Sequence, residues 1–209
     1  MLYTSYLYPL RFIASILVVL FHYSPVRNFV INNGGEAVNF FYLISGYVMI
    51  IAYTDKIKNN KFSIRNFLIN RILRIYPAYF LALVLTLGAH YLTKPFLSSI
   101  WSRFSFEVLM IQSWFYPGSM NYPGWSVSNE FFFYITFAFL ILPFALLRRN
   151  KKLILIVSFL ILSLIVSLVF SAIANDQNNM LLKGYMTQSP LIRVIIFWTG
   201  VYIGYLHTQ

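Results

Sequence analysis

The stretch NEFFFYITFAFLILPFALLRRNKK, residues 129–152, has two parts: an apolar run without a charge from 131 to 147, then four positive charges in five residues. A helix needs roughly 20 apolar residues to cross the hydrocarbon core of a bilayer, so the run is of spanning length. A basic turn directly after it is the signature of a cytoplasmic loop under the positive-inside rule. This one segment makes the bilayer the solvent in which the rest of the chain is read.

The composition agrees. Of 209 residues, 59% are hydrophobic, 20% aromatic and 10% charged, whereas a soluble domain carries about 25% charged residues. Five further apolar runs stand at residues 9–26, 38–53, 73–91, 153–171 and 191–206. The expectation is an all-α fold: a polytopic transmembrane helix bundle of six spans, forming one membrane-embedded domain over 1–209. A shorter piece, FEVLMIQSWF at 106–115, is too short to span upright and is a candidate seventh, re-entrant segment.

Charge orients the spans. The loop from 54 to 74 holds Lys56, Lys58, Lys61, Arg65, Arg71 and Arg74 against Asp55 alone. Six spans with a cytoplasmic N-terminus put this loop and RRNKK on the same, cytoplasmic side. The segments around Arg27 and Glu36, at 92–128 and at 175–190 then face outward. No Lys or Arg precedes Arg11, and no small-residue cleavage site follows the first run, so it reads as a retained helix rather than a signal peptide.

Several function classes drop out. The net charge of +11 is dispersed among short membrane-proximal loops, which argues against nucleic acid. The absence of cysteine excludes disulfides, cysteine metal sites and a thiol nucleophile. No HExxH or paired-carboxylate spacing supports a metal, and no glycine-rich phosphate loop is present. His90 and His207 fall near span ends, and Asp55, Glu107 and Asp176 fall in predicted loops.

Four segments interrupt the apolar pattern with polar chemistry. In PLRFIASILVVLFHYS, residues 9–24, Arg11 and His22 are eleven residues apart, close to three helical turns, and so share a face roughly 16 Å long. Arg11 sits at the helix end where the dipole disfavours cations, a conflict that an anion would relieve. The plainer reading is that Arg11 snorkels to the interface and His22 closes the helix at the outer headgroups. In NFFYLISGYVMI, residues 39–50, Ser45 and Gly46 allow another helix backbone to approach. In RNFLINRILRIYPAYF, residues 65–80, Arg71 and Arg74 share a face and offer planar donors for phosphate oxygens, or serve as cytoplasmic anchors. In PGWSVSNEFFFYITF, residues 123–137, Ser126 or Ser128 is placed to cap a helix with Glu130 in its first turn. A carboxylate opening an apolar run also calls for a partner, with His22 or an arginine as candidates.

Together these segments resemble the acyltransferase 3 family of membrane-bound O-acyltransferases, the polysaccharide or O-antigen acetylase type. Arg11…His22 matches an arginine, ten residues, then histidine. FFYLISGY (40–47) is similar to a phenylalanine-rich FF-x-x-SGF element, RILRIYP (71–77) to RxxR followed by Tyr-Pro, and WSVSNE (125–130) to W-S-x-S-x-E. The closing SPLIRVIIFWTGVYIGYL is similar to a later family segment.

The resemblance implies transfer of an acyl group, most simply acetyl, from acetyl-CoA or another acyl-CoA to a hydroxyl of a carbohydrate or lipid-linked glycan of the cell envelope. His22 and Glu130 would be catalytic, with His22 as general base in a direct attack. Arg11, Arg71 and Arg74 would bind the donor, and Ser45, Trp125, Ser126 and Ser128 would shape the substrate site. No metal is implied. The expected location is the inner membrane, with the bilayer, and a second copy or another membrane subunit, as further partners. Asn129 stands where the family more often has valine. Family members usually carry further spans, so the chain is expected to be the N-terminal portion of that architecture. The competing reading is a non-catalytic truncated scaffold or transport-associated subunit.

Overall fold

In the computed structural model, residues 7–26, 28–93, 99–115, 118–176, 184–185 and 188–208 are described. Eight α-helices and a 3₁₀ turn are found among them. They are α1 (Leu7–Tyr23), α2 (Phe29–Asn32), α3 (Glu36–Lys58), α4 (Ile64–Thr93), α5 (Ser99–Val108), the 3₁₀ turn Gln112–Trp114, α6 (Gly124–Leu146), α7 (Arg149–Asp176) and α8 (Pro190–His207). The chain divides into two compact units, 1–60 with 195–209, and 61–194.

Among the described residues five helices are long and apolar enough to cross a membrane: Glu36–Lys58, Ile64–Leu92, Gly124–Leu146, Arg149–Val169 and Pro190–His207. The sequence predicted six. The sixth, α1, is apolar but shorter, its apolar stretch running Pro9–Tyr23. Predicted residues 24–26 leave the helix because Pro25 biases Ser24 away from helical geometry. There the Ser24 hydroxyl and the Val26 backbone close a local turn on each other.

In the first unit, small residues set the packing. A Cβ on Gly34 would lie 2.6 Å from the Leu17 carbonyl oxygen, so the turn before α3 presses on the backbone of α1. Between α3 and α8, a Cβ on Gly46 would lie 2.0 Å from the Phe197 carbonyl oxygen, and one on Gly200 would lie 1.9 Å from that of Leu43. Gly204, four residues on, faces the Tyr47 carbonyl. Helix contact through small residues is how membrane helices associate without a hydrophobic driving force. The α3 helix ends with Lys56 and Lys58 in its last turn, where cations complement the dipole. It stops as Asn60 takes φ +52°, a left-handed conformation that asparagine tolerates.

In the second unit, α4 and α6 run antiparallel. Phe67 stacks on Phe137 with ring centroids 5.2 Å apart and meets Tyr134 edge-on. A little over three turns further along α4, Tyr79 packs beside Gly124. The α5 helix returns along α4, so that Phe104, Val108 and Met110 cluster with Tyr79 and Leu83. The piece 106–115 is not one helix. It comprises the end of α5, a break at Met110 (φ +54°) and the 3₁₀ turn, lying level with the middle of α4. Lys152, in the basic turn, is fully buried and donates to the Ala145 carbonyl at 3.0 Å, closing the C-terminal end of α6.

Candidate active site

The chemistry-bearing residues fall in both units. On α1 of the first unit, Arg11 and His22 are half-buried. His22 Nδ1 lies 2.7 Å from the Val18 carbonyl oxygen, one turn earlier. A carbonyl can only accept, so Nδ1 carries the proton and the basic lone pair is on Nε2. The Phe21 ring meets the imidazole edge-on with centroids 5.0 Å apart, and Phe21 also faces Gly34 and Gly35. The two glycines therefore seat the turn under the end of α1 that carries the histidine. Ser45 is buried on α3 next to Gly46, at the level where α8 approaches; the close backbone approach read from this dipeptide is present.

In the second unit, Arg71, Arg74 and Glu130 are gathered around Tyr134. The Tyr134 hydroxyl donates to Glu130 Oε1 at 2.5 Å, one turn back on α6. The Arg71 guanidinium stands 5.6 Å from the centroid of the Phe67 ring and 5.9 Å from that of Tyr134. Both Arg71 and Arg74 lie within electrostatic range of the Tyr134 phenol. Tyr134 is buried, with 5% of its surface exposed, so these interactions act where water screens them little. It thus joins the two residue types that the motifs nominate separately. The sequence reading did not single it out; its position i+4 from Glu130 on a helix was the available signal.

The start of α6 differs from expectation in two ways. The helix begins at Gly124, not at 129, with Pro123 (φ −72°) ahead of it and no side-chain cap. Neither Ser126 nor Ser128 caps it, and Glu130 lies beyond the first turn, which holds no acidic residue. The Ser126 hydroxyl instead donates to the Pro123 carbonyl at 2.8 Å. Ser128 is fully buried, and its hydroxyl makes no hydrogen bond among the described residues. Side chains from the 3₁₀ turn reach the opening turn of α6: Gln112 donates to the Gly124 carbonyl at 2.9 Å and Ser113 to that of Trp125 at 2.8 Å. Proline fixes φ near its helical value and glycine fits against Tyr79 and Ser119, so the helix starts before its apolar pattern does.

A cleft of about 380 Å³ opens here, lined by Arg74, Ile75, Ala78 and Tyr79 of α4, by Asn121, Pro123 and Gly124, and by Ser126 and Val127 of α6. It brings Arg74 and Ser126, named from separate motifs, to one concavity. Behind it lies a buried polar network that the sequence reading missed. The Tyr79 hydroxyl donates to the Glu107 carbonyl at 2.9 Å, the Gln112 amide donates to the Tyr79 oxygen at 3.0 Å, and the Met120 N–H donates to the Glu107 carboxylate. Glu107 is 2% exposed. Burial pushes its carboxyl above the usual range, partly offset by the Met120 N–H, the Ser119 hydroxyl and the Asn121 N–H. An ionisable residue inside an apolar piece was the available clue.

Comparison with known proteins gives the family. A family model described as an acyltransferase domain, Acyl_transf_3, matches residues 6–209. Acyltransferase MdmB of Streptomyces mycarofaciens is 33% identical over 111 residues, which are 50% of this chain and 27% of MdmB. The match thus spans about a quarter of that relative's length. No solved structure matches. With the family model covering nearly every residue and five apolar helices of spanning length among the described residues, the chain is an integral membrane protein that belongs to the acyltransferase 3 family.

Proposed function

We propose that the chain transfers an acyl group, most simply acetyl, from a coenzyme A thioester to a hydroxyl of a cell-envelope carbohydrate, with His22 as general base. The observation that carries this reading is the 2.7 Å Nδ1–H bond from His22 to the Val18 carbonyl. It fixes the tautomer whose Nε2 can take a proton, the task that general-base catalysis sets. In the direct route, Nε2 accepts the acceptor hydroxyl's proton as its oxygen bonds to the thioester carbonyl carbon. The carbon–sulfur bond then breaks, and the departing thiolate takes the proton back from the imidazolium. Arg71 and Arg74 serve the anionic donor, with Tyr134 holding Arg71 over its ring and Glu130 by its hydroxyl. Arg11 supplies a further cation, and Ser45, Trp125, Ser126 and Ser128 shape the substrate site. The arginine-rich start of α4 belongs on the cytoplasmic face of the inner membrane, where acyl-CoA is made, with the N-terminus on the same face.

The test is transfer of radiolabelled acetyl from acetyl-CoA to the polysaccharide fraction of membranes carrying the chain. His22→Ala should abolish incorporation at an unchanged amount of inserted protein. Incorporation that survives in this variant would overturn the assignment of the base. Label trapped covalently on the protein, with parallel double-reciprocal plots, would replace direct attack by an acyl-enzyme route.

A further inference from the structure

The described backbone between α5 and α6, residues 109–115 and 118–123, is irregular apart from the 3₁₀ turn and lies at a depth where irregular backbone is usually avoided. Asn121, Pro123 and Gly124 stand beside Ala78 and Tyr79 of α4. Tyr79 is five residues past Arg74, about 7.5 Å along the helix axis, inside the apolar run by which α4 spans. Such backbone is tolerated at membrane depth where protein buries it or where it lines a cavity. Both conditions are met. The Tyr79, Gln112 and Glu107 network satisfies one side of the stretch, and the other side forms the wall of the 380 Å³ cleft.

We propose that this cleft holds the phosphopantetheine arm of the acyl donor, its phosphate at Arg74 and its thioester end directed inward past Tyr79. The inference rests on the acyl-CoA reading above and adds a location and an orientation to it. Among the described residues Arg74 is the one cation of the lining, and it stands at the end of the cleft nearer the charged start of α4. Beyond it the walls are mainly apolar, formed by Ile75, Ala78 and Val127, with the Asn121 amide and Ser126 hydroxyl between them. A chain of methylenes broken by two amides and ending in a phosphate matches that sequence of surfaces. A sugar would need polar partners throughout, and the doubly phosphorylated nucleotide end of the coenzyme would need more than one cation. The volume lies near the lower limit of small-molecule sites, about 300–1,000 Å³, which suits an arm rather than a whole coenzyme.

The chain has no cysteine, so a single Ala78→Cys substitution reports on the cleft alone. The rate of its alkylation by N-ethylmaleimide is measured in the purified full chain, without ligand, with acetyl-CoA, and with adenosine 3′,5′-bisphosphate, which lacks the arm. Neither ligand has a free thiol. Equilibrium dialysis of radiolabelled acetyl-CoA is run on the same samples, with Lys61→Cys as an exposed control. Acetyl-CoA at about ten times its Kd should slow alkylation at position 78 about tenfold, while the bisphosphate and the control show no slowing. If acetyl-CoA binds and position 78 alkylates at its unliganded rate, the cleft is not the arm's site, and the donor reading stands. Equal protection by the bisphosphate would put the nucleotide there and overturn the proposal. Should Ala78→Cys itself block binding, Asn121→Cys gives the same readout from the opposite wall. No acetyl-CoA binding by the unsubstituted chain would overturn this proposal together with the reading beneath it.

Discussion

Gly46 and Gly200 meet at one crossing of α3 and α8, and that geometry predicts how their substitutions combine. A Cβ on Gly46 would lie 2.0 Å from the Phe197 carbonyl oxygen, and one on Gly200 would lie 1.9 Å from the Leu43 carbonyl oxygen. Neither neighbour is a flexible side-chain tip; both are backbone within helices. To reach the 3.4 Å of ordinary contact, the helices must part by about 1.4 Å for Gly46→Ala and about 1.5 Å for Gly200→Ala. Overpacking of this kind costs about 1–3 kcal/mol, so each single variant should lose about 2 kcal/mol. The retreat that accommodates one methyl accommodates most of the other, because the two contacts share a crossing. The double variant should therefore lose about 2–3 kcal/mol, well short of the sum, a coupling expected of residues that share partners. Equilibrium unfolding in mixed detergent–SDS micelles, followed by tryptophan fluorescence, measures all three, with Trp198 buried on α8 beside the crossing. Additive losses, or singles within 0.5 kcal/mol of wild type (about the spread of neutral surface changes), would refute a rigid backbone contact here.

Further outcomes are expected at three positions. Tyr134→Phe keeps the ring beneath Arg71 and deletes the hydroxyl that holds Glu130; acetyl-CoA affinity should be nearly unchanged while transfer falls about 10-fold or more, the scale of a hydrogen bond to a charged group. Tyr134→Leu removes both interactions and should weaken donor binding as well, read by equilibrium dialysis. Glu107 has its carboxyl raised above 4.5 by burial, so the native state binds more protons than the unfolded chain just above that pH, and stability falls as pH rises through the window. Glu107→Gln should flatten that slope in thermal melts and gain on wild type with increasing pH, whereas an unchanged slope would assign it to another group. Gly34→Ala would set a methyl 2.6 Å from the Leu17 carbonyl oxygen and 2.7 Å from Phe21 Cβ, and should displace the turn from the end of α1, lowering the melting midpoint and reducing transfer, unlike Gly88→Ala, where nothing lies within 4 Å.

Much of the candidate site was legible as residue types. Arginine pairs, an intramembrane histidine and a carboxylate opening an apolar run declare themselves because charge in a bilayer is expensive. Their partners were harder to read. Glu130 was matched in sequence with His22 or an arginine; that Tyr134 also donates to it could not be read there, because apolar counting had absorbed this tyrosine into the span. Glu107 was assigned to a loop because its apolar neighbours were too few to span, and nothing local to it announced the Met120 N–H that it accepts thirteen residues later. The α6 boundary was misplaced for a related reason. Hydropathy rises only after Asn129, while Pro123 and the close seat of Gly124 on Tyr79 and Ser119 start the helix at 124.

By itself the sequence determined the class of the molecule and the rough place of its spans. Partition into a bilayer is decided segment by segment, from apolar length and the sign of flanking charge. It also displayed the ordered polar motifs by which the family is known. Only the tertiary structure decided which small residues became helix crossings, how Gln112 and Ser113 hold the opening turn of α6, and that Arg74 and Ser126 share one cleft. Those features are relations between segments dozens of residues apart. They depend on backbone distances that no local pattern encodes, because any of several small residues or arginines could have met any of several partners until the helices packed.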